Sequence, residues 1–203
     1  MTSHSFDERA ATWDDEPTVA RARAVAKIIA DAVPTSSATR LLEYGAGTGL
    51  AAQFLASHVG AVTLADPSAG MRAVAAEKVS SGVLPGETRI WELNLDEDEP
   101  PAEQFDLVVT VLALHHVADV AQVLAKLAGM LSPAGRLCIV DLEAEDGSFH
   151  GDMNGVAHGF AEAELVANLA AAGMTCDYRR GVYEIDKEGR PYPLFLAVAA
   201  AAS

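Results

Sequence analysis

The sequence predicts an α/β domain in which a mainly parallel, doubly wound sheet is covered by helices on both faces. Three observations predict it. Short apolar runs alternate with segments of helical period between residues 17 and 172, the mark of repeated strand–helix units. The turn after the first apolar run carries Gly45, Gly47 and Gly49 and leads straight into a helical segment. The chain then ends in two strand-like runs joined by a turn-rich stretch at residues 186–191, which adds an antiparallel hairpin.

Residues 17–32 place Val19, Val25, Ile28 and Ile29 at helical spacing, with Pro17 suited to a first turn, and Pro34-Thr35-Ser36-Ser37 breaks the pattern. Residues 40–44 read as the first strand and 49–58 as its helix; 61–65 and 68–80 are the second pair. A third strand over 88–93 precedes an acidic, proline-containing loop at 96–101. The run 105–111 is almost continuously apolar, as a strand covered on both faces should be. A helix over 117–131 stops at Ser132-Pro133-Ala134-Gly135, and residues 136–141 make a fifth strand. A glycine- and histidine-containing loop at 145–159 leads to a helix at 161–172, then to strands near 176–185 and 193–200. No repeat, linker or second domain stands out. The 203 residues therefore read as one domain, with an N-terminal lid and helix over 1–36 and the core over 37–203.

Composition narrows the function. With 50% hydrophobic and 21% charged residues the chain is a folded domain, and its formal net charge of −15 opposes binding to nucleic-acid phosphates or anionic lipid. A small-molecule partner is expected, with no nucleic acid and no membrane, and a monomer or homodimer. Arg21, Arg23 and Lys27 in the first helix read as a solvated face. Cys138 and Cys176 lie in apolar runs outside any CxxC or Cys/His pattern and read as reduced thiols. The polar start lacks a signal-peptide core and no apolar run is long enough for a bilayer, so a cytoplasmic location is expected.

In an open parallel sheet, ligands bind beyond the carboxyl ends of the strands at the point where strand order reverses. The loop Glu43-Tyr44-Gly45-Ala46-Gly47-Thr48-Gly49 falls there; its glycines admit close approach of a ligand, and the helix start offers free N–H groups. A dinucleotide fingerprint would need glycine or alanine three residues after Gly47, where this chain has Leu50. Glu43 would meet a pyrophosphate poorly and a cofactor bearing an ammonium group well. Asp66, about twenty residues further on, has the spacing at which a carboxylate reaches ribose hydroxyls. These features favour S-adenosylmethionine over a nicotinamide cofactor, so an NAD-linked oxidoreductase is the weaker reading; a non-catalytic cofactor-binding or regulatory protein stays open.

These motifs, with Asp66-Pro67-Ser68-Ala69-Gly70-Met71, Phe105-Asp106-Leu107-Val108 and Leu131-Ser132-Pro133-Ala134-Gly135-Arg136-Leu137, make the chain resemble the class I S-adenosylmethionine-dependent methyltransferases. The likeness is greatest to the small-molecule, ubiquinone/menaquinone-biosynthesis type and covers nearly the whole chain. It implies a Rossmann-like three-layer sandwich, with a seven-stranded sheet of order 3-2-1-4-5-7-6 whose seventh strand is antiparallel. It also implies an enzyme that moves a methyl group from S-adenosyl-L-methionine to O, N or C of a small molecule. By the same resemblance Glu43, Gly45, Ala46 and Gly47 line the methionine side and Asp66 holds the ribose. Pro67 and Met71 pack near the adenosine. Asn94, followed by Leu95, stands where the family often has aspartate against the adenine amine. The opening segment, with Phe6 and Trp13, looks like the family's lid, and Trp13 is its candidate for cofactor contact.

Beyond the fourth strand comes Leu112-Ala113-Leu114-His115-His116, without the Asn/Asp-Pro-Pro-aromatic motif of DNA amino methyltransferases. An imidazole there can take a proton from an attacking hydroxyl or amine, which makes His115, then His116, the catalytic candidates. Phe149, His150, His158 and Phe160, near Glu143, Glu145 and Asp146, are the candidate substrate rim. The histidines are spread over several loops at spacings that match no compact metal signature, so no metal is expected.

Overall fold

A computed structural model of the chain describes residues 3–151 and 156–202. Its strands are β1 (Leu41–Tyr44), β2 (Val62–Ala65), β3 (Arg89–Trp91), β4 (Phe105–Val111), β5 (Leu131–Leu142), β6 (Met174–Lys187) and β7 (Arg190–Ala201). They form one sheet of order β3-β2-β1-β4-β5-β7-β6, as the family resemblance implies. The pairs among β1 to β5 are parallel, and β7 runs antiparallel to both β5 and β6.

Among the described residues the α-helices are α1 (Ser3–Arg9), α2 (Glu16–Ala32), α3 (Leu50–Leu55), α4 (Ala69–Ser80), α5 (Val120–Gly129) and α6 (Glu162–Ala171), of which α1 packs on α4. The period-two alternation of β5 sorts its side chains between two cores. Leu137 and Ile139 pack with Leu124 and Leu127 of α5 and Leu165 of α6. Cys138 and Val140 pack on the other face with Ile29 of α2 and Leu55 of α3. Three layers result. No helix among the described residues is long and apolar enough to cross a membrane.

Several boundaries differ from the sequence expectation, each for a local reason. The Ser132-Pro133-Ala134-Gly135 stretch does not end a helix but bulges within β5: Leu131 pairs with Phe105 and Arg136 with Leu107. The helix expected from residue 117 starts at Val120, because the Asp119 carboxylate accepts the Gln122 N–H as its N-cap. The final hairpin is longer than expected and closes in two residues, Glu188 and Gly189, both at positive φ, as a tight hairpin turn requires. The opening segment, expected only as a lid, forms the short helix α1. Of the 145–159 loop, residues 152–155 lie outside the described residues.

A candidate cofactor and acceptor site at the β1–β4 switch point

Strand order reverses between β1 and β4, and a cavity of about 720 Å³ opens beyond their carboxyl ends. Glu43, Gly45, Ala46, Gly47, Asp66, Pro67, Met71, Asn94, Trp13 and His116 all line it. Leu95 does not. It is fully buried in the core beneath, with its N–H donated to the Tyr44 hydroxyl at 3.1 Å.

The glycine loop is shaped for close approach. Gly45 and Gly47 sit at φ of 66° and 54°, a left-handed conformation that side chains disfavour, and a Cβ at Gly45 would collide with that of Ala113. Asp66 braces the loop by accepting the N–H groups of Gly47 at 2.7 Å and Ser68 at 2.8 Å. Burial raises its carboxyl above the usual aspartate value, against the pull of those two bonds. Glu43, at the end of β1, accepts the Ala52 N–H at 2.7 Å from the first turn of α3. Only 4% exposed, it is pushed up to about 8 by burial, with the Ala52 bond and Lys78 working the other way. The Asn94 carboxamide oxygen accepts the Asp96 N–H at 3.2 Å.

The opening segment covers this cavity and is latched at two points. Asp7 accepts the Ser68 hydroxyl at 2.6 Å and the Gly70 N–H at 2.8 Å, at the start of α4. Asp14 accepts the Thr48 hydroxyl at 2.5 Å and lies 2.5 Å from the Lys78 ammonium. Between the latches, Phe6 packs edge-on against both Trp13 and His116.

A second cavity of about 590 Å³ adjoins the first through Phe6, Trp13 and His116 and is also lined by His115, Phe149 and His150. Leu112, at φ of 51°, turns the chain after β4 so that a short 3-10 turn presents His115 and His116. The His115 ring is anchored through Nδ1, 2.6 Å from the fully buried Asp141 carboxylate, which also accepts the Leu114 and Leu142 N–H groups. That pairing leaves Nε2 on the opposite edge of the ring. Burial, His115 and His150 hold the His116 imidazole far below its ordinary value. Burial, His115 and Lys187 bring His150 down to about 4.

The remaining candidates lie elsewhere. Phe160 packs into the core against Phe195, and His158 is exposed against Gly147. Glu143 accepts Arg180 and the Gly181 N–H where β6 bulges. Sequence reasoning missed Asp141 and Lys78, and Arg21, expected on a solvated helix face, is instead half-buried and lines both cavities. Only Asp141 left a readable signal: a lone carboxylate at the end of an otherwise apolar strand.

A methyltransferase domain family matches residues 42–137. An uncharacterized methyltransferase of Schizosaccharomyces pombe is 35% identical over 154 residues, 68% of this chain and 54% of that one. A ubiquinone/menaquinone biosynthesis C-methyltransferase of Psychromonas ingrahamii is 31% identical over 105 residues, 50% of this chain and 42% of that one. The chain thus spans about half the length of these curated relatives. Among solved structures, a SAM-dependent methyltransferase from Aquifex aeolicus superposes with a TM-score of 0.69 at 17% identity, covering 96% of this chain and 98% of that one.

Proposed function

We propose that the chain, which a methyltransferase domain family matches over residues 42–137, is a class I S-adenosylmethionine-dependent methyltransferase that transfers a methyl group to O, N or C of a small molecule. The observation that carries the reading is the wall between the two cavities. His116 lines both, and His115, backed by Asp141, faces the second. One cavity then suits the cofactor and the other the acceptor.

The cofactor fits the residues present. A buried carboxylate at Glu43 suits the ammonium of the methionine part, Asp66 the ribose hydroxyls, and Pro67 and Met71 the adenosine. When bound, S-adenosylmethionine supplies a methyl carbon already activated by its sulfonium. The protein's work is to align the acceptor with that carbon and to exclude water. Phe6 and Trp13 close the cavity from above. His115, oriented by Asp141, takes a proton from an attacking hydroxyl or amine, and His116 confines the acceptor beside it. The net charge of −15 supports an acceptor other than a nucleic acid.

The test is transfer of labelled methyl from S-adenosylmethionine into a metabolite extract that is then separated by size. Label should enter the small-molecule fraction, and His115→Ala should lower the rate roughly 100-fold with S-adenosylhomocysteine affinity unchanged. Label confined to protein or nucleic acid would contradict the acceptor class, and an unchanged rate would remove His115 from the chemistry.

A further inference from the structure

We propose that His115, His116 and His150 form a binding site for one divalent transition-metal ion of the zinc or cobalt kind. The three residues come from two separate loops, after β4 and after β5, and the fold brings one ligand-capable atom from each within 4.8 Å of the others. Their rings lie 4.1, 4.9 and 5.3 Å apart between centroids. Two of the nitrogens are buried without a hydrogen-bond partner among the described residues, His116 Nδ1 and His150 Nε2. Buried polar atoms are nearly always satisfied, so two orphaned imidazole nitrogens in one cluster of three call for a ligand that accepts lone pairs.

Asp141 strengthens the assignment. A carboxylate on the far nitrogen of a ligating imidazole fixes the tautomer and raises the basicity of the ligating atom. The 2.6 Å contact between Asp141 and His115 Nδ1 is that arrangement, and it directs Nε2 to the ligating role. Asp141 is itself fully buried and held by backbone N–H groups, so the ring is fixed before any ion arrives. Three imidazole ligands favour zinc, cobalt, nickel or copper over magnesium or calcium, which take oxygen ligands. Three protein ligands also leave a coordination position open, as in catalytic rather than structural zinc sites. The cationic side chains that share the cavity are partly committed elsewhere: the Lys187 ammonium to the Phe149 carbonyl, the Arg9 guanidinium against the Trp13 ring, and the Arg21 guanidinium to the Thr18 hydroxyl.

The functional consequence rests on the methyl-transfer reading of the two cavities; the site itself does not. His116 borders both cavities, so the open position faces their junction. There the ion would take the acceptor's oxygen or nitrogen atom in place of the His115 base. The acceptor's proton is lost to water, a bond forms from its heteroatom to the methyl carbon, and the carbon–sulfur bond breaks with its electron pair passing to sulfur.

The experiment titrates cobalt(II) into the full chain, freed of metal by a chelator, with neither cofactor nor acceptor present, and follows the visible absorption of the bound ion. One ion per chain with a tetrahedral or five-coordinate spectrum is expected, displaced by zinc. His150→Ala, on a loop outside the core, should weaken binding roughly tenfold or more; His116→Gln should do the same, and the exposed His158→Ala should leave it unchanged. Circular dichroism of each variant establishes that it is folded. Absence of uptake, or uptake that folded His150→Ala and His116→Gln leave unchanged, overturns the site. Titration of S-adenosylhomocysteine into the same metal-free sample separates the two readings. Its binding without metal uptake removes only the metal site, and metal uptake without its binding removes only the methyl-transfer reading.

Discussion

In the cofactor-free protein the Glu43 carboxyl holds its proton at neutral pH, because burial has pushed it up to about 8. The unfolded chain releases that proton at the ordinary glutamate value near 4.3. Between those two values the folded state binds more protons than the unfolded one, so this residue's contribution to stability falls as pH rises through the window. Cofactor binding runs the opposite way. An ammonium beside Glu43 favours the carboxylate, so binding should release up to one proton at neutral pH, and affinity should rise with pH until about 8. Calorimetry of S-adenosylhomocysteine in two buffers of different ionisation enthalpy measures that proton directly. Glu43→Gln should abolish the release, weaken binding, and remove the loss of stability above pH 5. Release that persists in this variant would assign the proton to another group.

At the scale of the element, α1 and the segment that follows it act as a cover fastened at two places on the cofactor cavity. One fastening, Asp7 on Ser68 and Gly70, also completes the start of α4, whose own N-cap is Ser68. The other, Asp14 on Thr48 and Lys78, ties the cover to the glycine loop itself. Between them the Trp13 indole lies over Gly47. Replacing Trp13 with Ala should leave the fold intact, since it removes a lid contact rather than a core side chain, and should speed S-adenosylhomocysteine release. Asp7→Ala leaves the Ser68 hydroxyl and the Gly70 N–H without that partner and should cost about 1 kcal/mol of stability. Stopped-flow displacement and thermal unfolding read the two effects; equal release rates in wild type and Trp13→Ala would mean that the segment does not gate the site.

At the scale of the whole molecule, the sheet was the most legible feature. Alternating apolar runs and helical periods reflect burial of every central strand on both faces, and that pattern survives in the residues themselves. The lining of the first cavity was legible because a glycine at positive φ and a carboxylate at the end of a strand are local requirements. The lining of the second cavity was not. Three imidazoles converge from loops separated by over thirty residues, and no spacing rule announces such a meeting. The same limit misplaced His158 and Phe160, which share a loop with His150 yet leave the cavity once β5 and α6 fix the ends of that loop. Asp141 illustrates the boundary: its type and position were plain, but its partner was not. Whether the cavity over the glycine loop takes S-adenosylmethionine and not a dinucleotide is decided by one calorimetric comparison. Titrated with S-adenosylhomocysteine and separately with NADH, the protein should bind the first with one site per chain, roughly tenfold or more weaker in Asp66→Ala (one lost pair of charge-assisted hydrogen bonds), and should give no binding heat with the second. NADH binding, or S-adenosylhomocysteine affinity that Asp66→Ala leaves unchanged, would contradict the account.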